Sequence, residues 1–507
     1  MSPDEPGGGM WRLVTLAALL FGAAFTLLLV LVPLADNDIW LLMKVGQLIV
    51  ETRHVPDTVL FAFTTVRDNH FNSHEWLVSV VLHELDRTVG RANLMWVVGL
   101  VALVQFWLCV VLARRQSGSL GAALLLAMLA MACGHFRYVL RPEIFALLYL
   151  TLLLLVLDRC RDERRWPVLL WTIPLMLLWV NSHGSFLLAP AIVGLFALGE
   201  GVTAAIAAPG AVSARLHAGW RAGMPYAVAM LAMLATCLAN PGGWHILAFP
   251  FQLQRSTATR LLIGEWLPTF SQTFIEGRPF WIFAACAAIV VALVVRLRRH
   301  LGATDAMLFA LFLALALERN RHIVWFGFIA LTVCARLLAH VDLGRARELR
   351  LRAAAAVLAA IGLVAVTKFG NANGFHITYA PSYNFSPTMV AELDNPAIKG
   401  PVLTSYELGG ELVYRYWPRL QPSIDSRVDS YGDDYLLFHL ALLQDEKLLD
   451  MFLEGNRVNY MLLTHHDLER KIGAMPSIRA EWHVRQFSGD TFLLERNQPL
   501  PGPAGAR

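Results

Sequence analysis

About eleven apolar runs, set apart by short polar stretches, constrain this chain more than any other feature. The first extends from Met10 to about Leu34, and the rest lie near 92–113, 119–134, 142–157, 167–181, 185–206, 223–240, 279–297, 303–318, 322–340 and 352–367. A hydrocarbon core takes about 20 apolar residues per helix, and a segment in lipid must satisfy its own backbone hydrogen bonds. The runs therefore predict a mainly α, polytopic bundle of about eleven spans. The first run is too long for a signal-peptide core and lacks a small-x-small cleavage site, so it reads as a retained span. Composition agrees: of 507 residues, 56% are hydrophobic and 16% charged, where soluble domains carry about a quarter charged.

Charge placement gives an orientation. Between alternate runs sit Arg114/Arg115, then Arg159, Arg161, Arg164 and Arg165, then Arg215/Arg221, then Arg296, Arg298 and Arg299, then Arg345, Arg347 and Arg350. All fall on one side, which the positive-inside rule makes cytoplasmic. The N-terminus is then cytoplasmic, and an odd number of spans puts the C-terminus outside. The net charge of +4 is spread along the chain and gives no nucleic-acid footprint. Six cysteines lie in or beside apolar runs, with neither a disulfide framework nor paired zinc spacing.

Two domains are expected: a transmembrane one over 1–367 and a small exoplasmic α/β one over 368–507. The latter alternates short strand-like runs with amphipathic stretches such as Tyr435 to Leu453. Its last pair, "EWHVRQF" and "TFLLER", predicts a hairpin across Ser488-Gly489. The Asp-rich "SIDSRVDSYGDD" reads by default as a solvated turn.

The chemistry-bearing stretch is the first exoplasmic loop, 36–91. "LADNDIWLLMKVGQLIVETRHVP" places Asp36 and Asp38 where the first span leaves the bilayer, followed by a half-polar helix. "HEWLVSVVLHELDRTVG" gives His74-Glu75 at the head of a second such helix. Helices of mixed polarity beside a span tend to lie in the interface, with the Phe and Val residues of the intervening loop near lipid level. The plain reading is that the aspartates cap a helix. Against it stand arginines at exoplasmic span ends, where the charge rule disfavours them: Arg137 and Arg141, Arg255 and Arg260, Arg319 and Arg321. Each alone suits a snorkelling anchor, whereas together they suit an anionic head group, since guanidinium forks match phosphate oxygens. Glu143 and Glu318 are candidate internal partners for Arg141 and Arg321. Polar turns on the same side, "WVNSHGSF" with His183 and "LANPGGWHIL", suggest a wet cavity.

In the order of these elements the sequence resembles the GT-C superfamily of membrane glycosyltransferases, close to the protein O-mannosyltransferase and aminoarabinose-transferase branch. The resemblance covers roughly the first 115 residues: a span, an exoplasmic acidic site, an interfacial helix ending at Val55-Pro56, and His74-Glu75-Trp76 leading to the next span. Where that branch has adjacent Asp-Glu, this chain reads Asp36-Asn37-Asp38, so both aspartates are candidates. The resemblance implies transfer of a hexose or pentose from a polyprenyl-phosphate donor to a lipid, glycan or protein acceptor at the outer membrane face. It implies catalytic roles for Asp36, Asp38 and Glu75. It implies substrate contacts from His74, Arg137, Arg141, His183, Arg255, Arg260, Arg319 and Arg321. A bacterial inner membrane in the cell envelope is the expected location. No metal ligand is assigned, although Asp36-x-Asp38 is also a pair able to hold a divalent cation, Mg or Mn, as in oligosaccharyltransferase relatives. Two other classes stay open. A lipid-linked-substrate transporter should show mid-membrane charges and repeats, and these spans are nearly charge-free. A non-catalytic scaffold or sensor would explain the C-terminal domain but not the acidic loop.

Overall fold

The computed structural model describes residues 8–30, 37–71, 74–257, 264–372 and 385–500. The chain divides into two compact units, one of 1–34, 92–247 and 263–379, the other of 35–91, 248–262 and 380–507. The second unit thus includes the first loop together with the C-terminal stretch.

The first unit is helical. Every apolar run falls on a helix: Gly8–Val30, Leu94–Ser117, Leu120–Cys133, Glu143–Glu163, Thr172–Val180, Leu188–Ala207, Val212–Thr236, Arg278–Leu297, Ala303–Glu318, Ile323–Leu338 and Arg345–Ala372. Among the described residues six stretches are long and apolar enough to cross a membrane: Trp11–Val30, Arg91–Ser117, Gly184–Ala207, Val212–Ala239, Arg278–His300 and Asn320–Leu338. The chain is an integral membrane protein. The larger expected number of crossings exceeds these six for local reasons. Leu120–Cys133 has 14 residues, about 21 Å of helix against a core of about 30 Å. Glu143–Glu163 is long enough but ends in a charged turn, and Arg345–Ala372 opens on one.

Helix ends follow local chemistry. Leu94–Ser117 carries Arg114 and Arg115 in its last turn, where the helix dipole favours cations. It stops at Gly118, whose φ of +71° only glycine adopts freely. Ser119 starts the next helix, its hydroxyl accepting from the Ala122 amide at 3.0 Å. The fully buried Asp158 ties three helices together, accepting from Arg115 Nε at 3.3 Å, Gln116 Nε2 at 2.8 Å and Arg336 Nη2 at 2.9 Å. A buried carboxylate persists only with such partners.

In the second unit a five-stranded sheet runs in the order β2-β1-β3-β5-β4. Its strands are β1 (Gly400–Thr404), β2 (Leu420–Pro422), β3 (Tyr460–Thr464), β4 (Trp482–Ser488) and β5 (Thr491–Arg496). β1 pairs parallel with β2 and β3, through the helical crossovers that parallel pairing needs. β4 and β5 form the antiparallel hairpin expected from the sequence. The period of two sorts the strand residues to two faces: Leu403, Met461 and Leu494 enter one core, Val402, Leu462 and Leu493 the other. The stretch Tyr435 to Leu453 is two helices, Asp433–Leu442 and Glu446–Gly455, instead of one. Asp445 breaks it, its carboxylate accepting from Leu448 N at 3.0 Å and so capping a new start.

The first-loop helices Asp38–Thr52 and Trp76–Val89 lie side by side and antiparallel, with Trp40 under the Arg91 guanidinium and Gly46 against Ser79. A Cβ on Gly46 would lie 2.0 Å from the Ser79 carbonyl oxygen. Gly46→Val should therefore force the pair apart and destabilise the unit by about 1–3 kcal/mol, read as a lowered thermal midpoint in detergent. An unchanged midpoint would contradict this packing. The loop residues Val59, Phe61, Ala62, Val66 and Phe71 are buried. This corrects the expectation that they sit at lipid level. Phe61 and Phe71 cluster with Leu41, Val45 and Val413, so a helix of the C-terminal stretch, Tyr406–Tyr416, covers the apolar surface that the membrane interface was expected to take.

Candidate functional site

Asp38 stands half-buried in the first turn of its helix, where the dipole favours a carboxylate. The capping position belongs to Asn37, which makes no side-chain cap bond. Asp36 lies outside the described residues. Glu75 precedes Trp76–Val89, with its carboxylate 3.6 Å from His74 Nε2. The His74 ring packs on Phe249, centroids 4.4 Å apart. Because the helices are antiparallel and Gly46 faces Ser79, Asp38 and Glu75 sit at opposite ends of the pair, about 18 Å apart along the axes (8 residues one way and 4 the other). Glu75 is therefore not placed beside Asp38.

The neighbours at the Asp38 end were not singled out from the sequence. Arg91 grips Asp86 with Nε at 3.2 Å and Nη2 at 2.9 Å, and the Tyr414 hydroxyl donates to Asp86 at 2.8 Å. The Arg91 guanidinium lies 4.8 Å from the Trp40 ring and 4.6 Å from that of Tyr414. Burial, helped by the bond to Asp86, pushes the Tyr414 hydroxyl up to about 12.

A second missed group corrects the solvated-turn reading of "SIDSRVDSYGDD". Asp425 is fully buried and Arg427 nearly so. Arg427 forks onto Asp425 through Nε at 3.1 Å and Nη2 at 2.7 Å, and also donates to the Val59 carbonyl at 2.6 Å. Its guanidinium lies 4.7 Å from both the Phe61 and Phe71 rings. The first loop is thus clamped onto the α/β sheet by a buried ion pair.

Four of the predicted arginines meet in the first unit. Arg137 donates to Glu143 through Nε at 2.7 Å and through Nη2, and its Nη1 lies 2.8 Å from Glu265 Oε1. Arg141 Nη1 bonds the same Glu265 oxygen. Arg319 Nη1 donates to the Trp266 carbonyl at 2.5 Å, and its Nε lies 3.5 Å from Glu318. The guanidiniums of Arg319 and Arg321 lie 5.9 and 4.2 Å from the Trp266 ring. Two span ends and the turn Gly264–Trp266 therefore converge on Glu265-Trp266, a dipeptide the sequence reading passed over. Its only local signal was an isolated acidic–aromatic pair in apolar surroundings.

The other candidates fall elsewhere. His183 heads a turn, its Nδ1 accepting from the Ser185 amide at 3.2 Å. The two polar turns close on each other, Asn240 Nδ2 donating to Asn181 Oδ1 at 3.0 Å, where a wet cavity was expected. Arg255 is exposed in the last turn of His245–Arg255, and Arg260 lies outside the described residues. Among the described residues no three histidine, cysteine or carboxylate side chains gather as a metal-ligand set.

No protein-family model and no curated protein matches the sequence. Solved structures do. The archaeal oligosaccharyltransferase AglB from Archaeoglobus fulgidus, in complex with an inhibitory peptide and a dolichol-phosphate, superposes with a TM-score of 0.56 at 14% identity, over 89% of this chain and 69% of that one. The apo form of the Archaeoglobus fulgidus enzyme gives 0.56 at 13%, over 89% and 70%. The form tethered to an acceptor peptide containing the NVT sequon gives 0.55 at 13%, over 96% and 74%. At such identity the shared property is the fold, a mainly helical one.

Proposed function

We propose that this protein is a membrane glycosyltransferase of the protein O-mannosyltransferase and aminoarabinose-transferase kind. It would move a hexose or pentose from a polyprenyl-phosphate carrier to a lipid, glycan or protein acceptor at the exoplasmic face. The observation that carries this reading is the convergence of Arg137, Arg141, Arg319 and Arg321 at span ends. A lipid phosphate rests at that level while its chain stays in the bilayer, and guanidiniums stabilise the charge that develops on it as it leaves. The solved relatives support the chemistry, one being held with a dolichol-phosphate and another with an acceptor peptide.

In this reading Asp36 or Asp38 takes the acceptor's proton as its oxygen attacks the anomeric carbon, and the carrier phosphate departs onto the arginines. Glu75, paired with His74 at the far end of the loop helices, is the third carboxylate that the resemblance makes catalytic. A divalent cation, Mg or Mn, held by Asp36 and Asp38 is the alternative use of that pair. The basic loops face the cytoplasm by the charge rule, and an odd number of spans then puts the C-terminal stretch outside.

Arg141→Gln tests the phosphate seat. Losing one charge-assisted bond should weaken polyprenyl-phosphate binding by about tenfold or more, with the thermal midpoint of the free protein held. A lowered midpoint with unchanged affinity would make the Arg141–Glu265 pair purely structural and remove the main support for this function.

A further inference from the structure

We propose that Glu265 is an exchangeable internal anion, holding the arginine cluster until a polyprenyl phosphate replaces it. This rests on the cluster being the carrier's phosphate seat. Two carboxylates meet Arg137, and they are held differently. Glu143 is 1% exposed, sits in the first turn of a 21-residue helix and takes the Arg137 fork through Nε and Nη2. Glu265 is 25% exposed at its side chain and belongs to a three-residue turn. That turn hangs by its carbonyls: Asn320 Nδ2 donates to Gly264 O at 3.1 Å, Asn320 N to Leu267 O at 3.3 Å, and Arg319 to Trp266 O. The Glu265 carboxylate alone reaches across to Arg137 and Arg141.

Charge makes the exchange reasonable. Arg137 and Arg141 share Glu265, Arg137 also takes Glu143, Arg319 lies beside Glu318, and Glu318 is 53% exposed at its side chain. Such a cluster at a span end is costly without an anion. Glu265 supplies one, and a phosphate offers the forks a similar oxygen spacing with more acceptor oxygens. Two acceptors in these residues, Glu143 Oε1 and Asn320 Oδ1, are buried without a hydrogen-bond partner. Buried polar atoms of that kind call for a donor, and the hydroxyl-rich sugar next to the phosphate would bring one. On exchange Glu265 leaves both arginines and the 264–268 turn loosens.

The test uses the full chain in nanodiscs with a polyprenyl monophosphate. Glu265→Gln removes the competitor's charge and should tighten binding on the order of tenfold, equal to about 1.4 kcal/mol. In the unaltered protein, hydrogen exchange at the 264–269 amides should quicken with the phosphate and stay unchanged with uncharged polyprenol. If Glu265→Gln binds as before while Arg141→Gln weakens binding, the seat stands and the exchange is wrong. If neither changes affinity, the seat itself is wrong. Should Glu265→Gln fail to fold, the hydrogen exchange decides alone, and slowed or unaltered amides overturn the proposal.

Discussion

Arg427→Ala should lower the thermal midpoint by about 6–20 °C, from a loss of about 3–5 kcal/mol. The substitution leaves the Asp425 carboxylate buried without its counter-charge. It also strips a donor from the Val59 carbonyl and the cation from between Phe61 and Phe71. The first loop should then become the earliest site of proteolysis, cut between 53 and 71. Removing both charges together should be milder than removing Arg427 alone, because no unpaired ion stays buried. A single variant that melts like the parent and keeps its loop intact would show that the pair does not clamp the loop.

Asp36→Asn and Asp38→Asn should separate turnover from binding. If a carboxylate is the base, the variant at that position should lose about 10²–10⁴ in turnover, while carrier affinity changes little. The other position should behave as a helix-start residue. For Asp38, in the first turn of Asp38–Thr52, that role is worth about 0.3–1 kcal/mol of stability. In the resemblance to the GT-C glycosyltransferases, counting back from Val55-Pro56 puts Asp36 at the family's acidic position, so the larger loss is expected there. Full turnover in both variants would remove the catalytic assignment from Asp36 and Asp38 and put the base elsewhere.

Much of the first unit was legible because lipid imposes one rule on every span: each apolar run is a helix. How many cross was less legible, since a 14-residue helix such as Leu120–Cys133 can be enclosed by neighbours without reaching both surfaces. The β4–β5 hairpin was readable from its local turn, and the break at Asp445 escaped because apolar periodicity continues across it. The candidate site divides the same way. Arginines at span ends stand out by violating a charge rule, and four of six come together. Glu265-Trp266 lies 124 residues beyond Arg141, so no spacing announces it. Phe61 and Phe71 misled for a plain reason: an apolar side chain beside a span suits lipid and a protein core equally well. Arg427, set in a run of Asp, Ser and Gly, had the composition of a turn and the surroundings of a core.

The clamp joins residues 368 positions apart, and that separation governs how the protein is born. At about 5–20 residues per second, a ribosome needs roughly 20–70 s to go from Val59 to Arg427. Through that interval Phe61 and Phe71 have Leu41 and Val45 to pack against but not yet Val413 or Arg427, beside a membrane with ample apolar surface to offer. The nascent chain must keep this loop soluble and unentangled until its last quarter is made. A protein truncated before Tyr406 would carry every helix of the first unit and still present the quality-control machinery with an unfinished loop.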